Sequence, residues 1–162
     1  MGTLFEELYK LFFDKIEKDS DFFEYNNVFE EEAIELAKTR AKNYLFESIT
    51  KLTLNCTPDV DFHDYNIDLE TFNFILSPIE KDLISSIMRE KYFEKDFSTL
   101  KAFQNLFAPK DLNSFAPSME RKTFCDMFKD ISDENNKFIR NYGARDRVTG
   151  KLKTIKFASY SS

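Results

Sequence analysis

The stretch Ser77-Pro78-Ile79-Glu80-Lys81-Asp82-Leu83-Ile84-Ser85-Ser86-Ile87-Met88 decides the fold class. The Ser77 hydroxyl can accept from the amide three residues on, and the Glu80 carboxylate can reach back to the Ser77 amide. Pro78 has its ring torsion preset for the first helical position, where no amide is required. Leu83, Ile84, Ile87 and Met88, followed by Lys91, then share one side of a helix expected over 78–94. A helix start this well marked, with an apolar stripe behind it, makes a helical chain.

The segments on either side repeat the pattern. A first helix is expected over 4–18, with Thr3 and Glu6 as its capping box. Leu4, Leu8, Leu11, Phe12 and Ile16 form its apolar face. Phe22, Phe23 and Tyr25 make an aromatic connector. A long second helix is expected over 30–51, with Ala33, Leu36, Ala37, Tyr44 and Ile49 inward. The small Ala33, Ala37 and Ala41 would admit a close neighbour. Residues 54–68 read as a polar loop holding Cys56, Pro58 and His63, and 69–76 as a short helical segment. Ser98 is expected to cap a short helix to about Leu106. Linkers follow at 108–111 and 114–117. Ser118 starts a long last helix over 119–142, with Phe124, Met127 or Phe128, Ile131, Phe138 and Tyr142 at helical spacing and Gly143 as its C-terminal cap.

Beyond Gly143 the helical period is lost. Val148-Thr149-Gly150-Lys151 reads as a turn and Ile155-Lys156-Phe157 as a short strand. Charge changes sign as well. Residues 137–162 carry seven bases and one acid, a net +6, so the chain total of −6 leaves −12 on residues 1–136. The expected organisation is an acidic helical bundle over 1–143 and a basic extended arm over 144–162. The fold class is all-α, four or five helices, with an arm able to form short β structure. Arg145, Arg147, Lys151, Leu152, Lys153, Ile155, Lys156, Phe157 and Tyr160 are the candidate partner-binding residues. Charge would bring such an arm to an acidic surface, and its spaced apolar side chains would fix the register. The competing reading is a solvated end.

The chemical inventory narrows the function classes. With one histidine, two cysteines and three glycines, the chain lacks close Cys or His pairs for zinc, a serine placed beside His63, and a phosphate-cradling glycine loop. No catalytic, cofactor or metal residue is assigned, and a binding or structural protein is expected rather than an enzyme. Asp61-Phe62-His63-Asp64-Tyr65 reads as a polar turn with local bonds, with a metal site as the alternative. Glu30-Glu31-Glu32 favours the dipole at a helix start. Nineteen phenylalanines exceed what a small bundle needs inside. Phe12 and Phe13, Phe22 and Phe23, Phe72 and Phe74, and Phe103, Phe107 and Phe115 suggest that some meet other subunits. No run approaches the length of a membrane span. The acidic, amphipathic opening is unlike a secretory leader, and Phe5 and Glu6 do not suit a myristoylation signal.

The order of elements resembles the small helical head–tail connector (adaptor, or neck) proteins of tailed bacteriophages. Leu4-Phe5-Glu6-Glu7-Leu8-Tyr9 through Phe13-Asp14-Lys15-Ile16 looks like the opening helix of that family. Phe72-Asn73-Phe74-Ile75-Leu76-Ser77-Pro78 through Met88 is similar to its capped central helix. Phe115-Ala116-Pro117-Ser118-Met119 through Phe138-Ile139-Arg140-Asn141-Tyr142 resembles its long last helix. The family often ends near the position of Tyr142, so the basic arm is a departure. The resemblance implies a ring of identical copies, commonly twelve. Such a ring docks on the portal protein, presents a face to the next neck or tail-completion protein, and lets DNA pass without sequence-specific binding. It implies a place in the virion neck, no cofactor, no membrane and no enzymatic site. A different tail-completion or baseplate subunit, or a soluble regulator that binds protein through the arm, are the alternatives.

Overall fold

The computed structural model describes residues 2–16, 29–106 and 118–154. Four helices account for most of them: α1 (Phe5–Ile16), α2 (Glu30–Asn55), α3 (Pro78–Leu106) and α4 (Ser118–Gly143). A two-stranded antiparallel hairpin, β1 (Tyr65–Asn66) and β2 (Thr71–Phe72), lies between α2 and α3. Helix α3 is the hub and packs against α1, α2 and α4. The all-α bundle with short β structure is therefore the architecture.

The capping box is present as expected. The Ser77 amide donates to Glu80 Oε2 at 2.7 Å, and the Glu80 amide donates to Ser77 Oγ at 3.3 Å. Behind it Leu83, Ile84, Ile87 and Met88 are fully buried. They meet Phe5, Leu8 and Phe12 of α1 and Ala41, Leu45, Ile49 and Leu52 of α2 in one core. Phe62, Phe72 and Leu76 of the connecting segment close the same core.

Several boundaries differ from the sequence reading, each for a local reason. Helix α3 runs unbroken through Ser98, because neither glycine nor proline follows Pro78 before Leu106. A capping serine ends nothing when the residues before it are already helical. Helix α2 continues to Asn55. There the Thr53 hydroxyl and the Asn55 amide donate to the carbonyls of Ile49 and Lys51, at 3.0 and 2.7 Å. The expected helical segment over 69–76 is instead the second half of the hairpin. Asn66 Oδ1 accepts from the Asp68 and Leu69 amides at 2.9 and 3.0 Å, which turns the chain at the hairpin tip.

Thr3 does not cap α1. Its backbone joins the hairpin edge, donating to Phe74 O at 3.1 Å and accepting from the Phe72 amide at 2.8 Å. Its hydroxyl accepts from the Leu76 amide at 2.8 Å. This edge pairing turns α1 so that Phe5, Leu8, Tyr9, Phe12 and Ile16 face inward. Leu4 and Leu11, expected on that face, are exposed. In α2 the buried positions are Ala37, Ala41, Tyr44, Leu45, Ser48, Ile49 and Leu52. Leu36 is 39% exposed, one position off the stripe, and Ala33 is half-buried.

Helix α4 is the peripheral helix. Ile139 is its one fully buried apolar side chain among the described residues, and Phe124, Ile131, Phe138 and Tyr142 are half-buried. A polar contact fixes its register. The Asn135 amide donates to Ser86 O at 3.0 Å and to Glu90 Oε2 at 2.8 Å, while Lys51 Nζ pairs with Glu90 Oε1 at 2.5 Å. Gly143 does not adopt a left-handed cap; Glu70 and Gly150 are the described residues with positive φ. A side chain at 143 would place its Cβ 2.6 Å from Cys56 Cβ. Close approach of α4 to the end of α2 is thus what this glycine provides.

Most of the phenylalanines whose side chains are described are buried or half-buried. Phe5, Phe12, Phe62 and Phe72 are fully buried, and Phe13 and Phe74 pack on the same core. Among those whose side chains are described, Phe29 is the exposed one. Edge-on ring contacts join Phe5 to Phe72 and Phe72 to Phe74, with centroids 5.2 and 5.6 Å apart. The pairs Phe12–Phe13 and Phe72–Phe74 therefore belong to the chain's own interior. Phe22, Phe23, Tyr25, Phe107, Phe115, both linkers and the 155–157 strand lie outside the described residues.

Candidate assembly surface at the C-terminal hairpin

After α4 the chain forms a second, smaller hairpin. Its backbone closes between Asp146 N and Lys151 O at 2.8 Å and between Gly150 N and Asp146 O at 2.9 Å. An antiparallel bridge joins Arg145 to Leu152. Asp146 Oδ1 accepts from the Thr149 amide and hydroxyl at 2.7 and 2.8 Å, and from the Val148 amide at 3.1 Å. Those donors hold the Asp146 carboxyl below the usual range. Gly150 has φ +66, where a side chain would be strained. The turn read at Val148–Lys151 is thus present, and the arm begins as short β structure.

This hairpin is bolted to the bundle through Glu80. The Glu80 side chain has no exposed surface. Arg147 Nε donates to Glu80 Oε1 at 2.6 Å and Arg147 Nη2 to Glu80 Oε2 at 3.0 Å. The Tyr142 hydroxyl donates to Glu80 Oε1 at 2.7 Å, and Arg147 Nη2 also reaches Ile75 O at 2.7 Å. Burial raises the Glu80 carboxyl. The Arg147 fork, the Ser77 amide and the Tyr142 hydroxyl outweigh it, so the net shift is downward. Burial and the Glu80 bond push the Tyr142 phenol up. A fork donor meeting a carboxylate on both oxygens is the strong form of this contact.

Asp59 provides a second anchor. It accepts from the Arg147 amide at 2.8 Å and pairs with Lys153 Nζ at 2.8 Å, which lower its carboxyl. The Lys153 amide donates to Ala144 O at 2.8 Å.

The candidate partner-binding residues therefore fall into three groups. Arg147 and Lys153 are brought together and turned onto their own chain. Arg145, whose guanidinium donates to Gly150 O at 2.9 Å, is exposed together with Lys151 and Leu152 on the outward side. Ile155, Lys156, Phe157 and Tyr160 lie outside the described residues. Sequence reading missed Glu80, Asp59 and Tyr142 as partners of the arm. No local spacing links position 80 to 147, and Glu80 already had a local role in the capping box.

The outward side is apolar as well as basic. Val148 is 89% exposed and Leu152 64%. Ile75, whose carbonyl accepts from Arg147, and Ile79 are exposed as well, and Ile79, Phe138, Tyr142 and Arg147 line a cleft of about 260 Å³. Leu54, at the end of α2, is also exposed.

The Asp61–Tyr65 segment is a turn. The His63 amide donates to Asp61 Oδ1 at 2.8 Å, and Asp64 Oδ1 accepts from the Asn73 amide at 2.6 Å. Among the described residues no group of three or more His, Cys, Asp or Glu side chains is placed to hold a metal ion. No described helix is long and apolar enough to cross a membrane. Cys56 is half-buried near Gly143, and burial raises its thiol. No family model, curated protein or solved structure matches the chain.

Proposed function

We propose that this chain is a structural subunit of a bacteriophage neck: a connector whose copies form a ring that docks on the portal and links capsid to tail. The observation that carries the reading is the end of the bundle where α2 stops and α3 starts. There Ile75, Ile79, Val148 and Leu152 stand exposed, the last two on a hairpin that Arg147 anchors to Glu80 and to Ile75 O. Large apolar groups gathered on a rigid support favour contact with other proteins over solvation.

The helical bundle with a capped central helix supports the reading too, since the resemblance in the opening, central and last helices implies that fold. The role is mechanical rather than catalytic. The acidic body suits a channel through which DNA slides, because like charge opposes adhesion to phosphates. Infection with a phage carrying a deletion of this gene tests the proposal. The expected outcome is DNA-filled heads and separate tails, joined again when the intact chain is supplied. Normal particles without the chain would overturn it.

A further inference from the structure

The first two turns of α2 carry a second surface that the core does not use. Glu31, Glu32, Ile34, Glu35 and Leu36 are all exposed, and Phe29, just before the helix, is 85% exposed. This ridge is acidic and apolar. The C-terminal hairpin offers the matching combination, with Arg145 and Lys151 beside Val148 and Leu152. The two surfaces cannot meet within one chain. Helix α2 has 26 residues and so is about 39 Å long. The ridge lies at its start, whereas the hairpin is held at its finish by Asp59 and by the packing of Gly143 on Cys56.

We infer that the partner of the hairpin is the α2 ridge of a second copy of this chain. Lys151 meets Glu32 and Glu35, and Val148 covers Leu36, which lies one turn from Glu32 on the same side of the helix. The contact joins two different patches, so a joined pair keeps a free ridge on one copy and a free hairpin on the other for the next copies, the head-to-tail geometry that makes a ring when the rotation closes and a filament when it does not. Opposite charge sets the orientation of approach, and the apolar groups hold the contact once formed. The inference rests on the connector reading, and it gives the ring its subunit contact.

Charge exchange tests it in solution, apart from any particle. One variant is Val148→Glu/Lys151→Glu and the other is Glu32→Lys/Glu35→Lys. These side chains are exposed and away from the core, and circular dichroism checks that each variant folds. In sedimentation at low salt the unaltered chain associates, and salt weakens the association. Each variant alone associates about tenfold more weakly, the scale of reversing a few exposed charge contacts. An equal mixture of the two recovers association, because the unaltered hairpin of one variant meets the unaltered ridge of the other and the two reversed surfaces meet likewise. A chain that stays monomeric at high concentration, variants that associate as the unaltered chain does, or a mixture that fails to recover would each overturn the contact. None of those results bears on whether the chain is found at the neck of particles, so the two ideas fail separately.

Discussion

Arg147 and Glu80, 67 positions apart in the chain, form a two-pronged ion pair with Arg147 Nε 2.6 Å from Glu80 Oε1 and Nη2 3.0 Å from Oε2. The same carboxylate completes the capping box of α3. One acidic side chain thus starts the central helix and anchors the C-terminal hairpin. Helix nucleation and hairpin docking are coupled through it.

Removing the guanidinium leaves a buried carboxylate with fewer donors. Arg147→Ala is expected to lower unfolding stability by about 2–4 kcal/mol. Truncation after Gly143 should cost a similar amount or more, since it also removes the Asp59 contacts. Truncation after Thr154 keeps every contact described here and should leave stability nearly unchanged. Chemical denaturation of the three variants checks the pattern. A neutral effect of Arg147→Ala would mean that the hairpin is not held by this pair.

The pair also gives a pH dependence. The Glu80 carboxyl lies below its ordinary value of 4.5 in the folded chain. A group whose folded value is depressed adds stability that is fully present above the unfolded value and is lost as pH falls through the folded one. The contribution should therefore be constant at neutral pH and disappear in the acid range, below about pH 4.5. Glu80→Gln should be less stable than the unaltered chain at pH 7, and the gap should close on acidification. An unchanged gap at low pH would contradict the assignment.

Core truncations should separate inward from outward leucines. Leu8→Ala, Leu83→Ala and Ile87→Ala remove fully buried side chains, and each is expected to cost about 2–5 kcal/mol. Leu36→Ala, on the exposed side of α2, should cost less than about 1 kcal/mol. Thermal or urea unfolding of the series would show it, and a large loss at Leu36 would reverse the helix phase described for α2.

At the end of α4, Gly143→Ala would drive a Cβ to within 2.6 Å of Cys56 Cβ. A loss of about 1–3 kcal/mol is expected from the forced separation of the helices. Because the obstruction is a Cβ, Cys56→Ala should not relieve it and Cys56→Gly should. A double-mutant cycle then gives a coupling of opposite sign to the single losses. Additive losses would mean that the glycine serves backbone conformation alone.

How much of this was legible in the sequence depended on whether the signal was local. The Ser77–Glu80 box and the stripe Leu83, Ile84, Ile87, Met88 were readable because all the partners lie within one or two turns. The turn at 148–151 was readable from Gly150 and its neighbours. The phase of α1 was not. Its residues support both a Leu4–Leu8–Leu11 face and a Phe5–Leu8–Phe12 face, and the choice is made by Thr3 pairing with Phe72 and Phe74. Ser98 looked like a helix start because capping residues are recognised by type, whereas a cap forms only where the preceding chain is not helical. Arg145, Arg147, Lys151 and Lys153 were legible as a basic group. That Arg147 turns inward while Lys151 turns outward follows from where Glu80 and Asp59 lie, which no spacing encodes.

Particles purified from infected cells, with the chain carrying a tag after Ser162, allow its position to be read by imaging the bound label. Label confined to the junction between capsid and tail, one cluster per particle, is the predicted result. Label absent from particles, or found at the tail tip or across the capsid shell, would contradict the neck assignment.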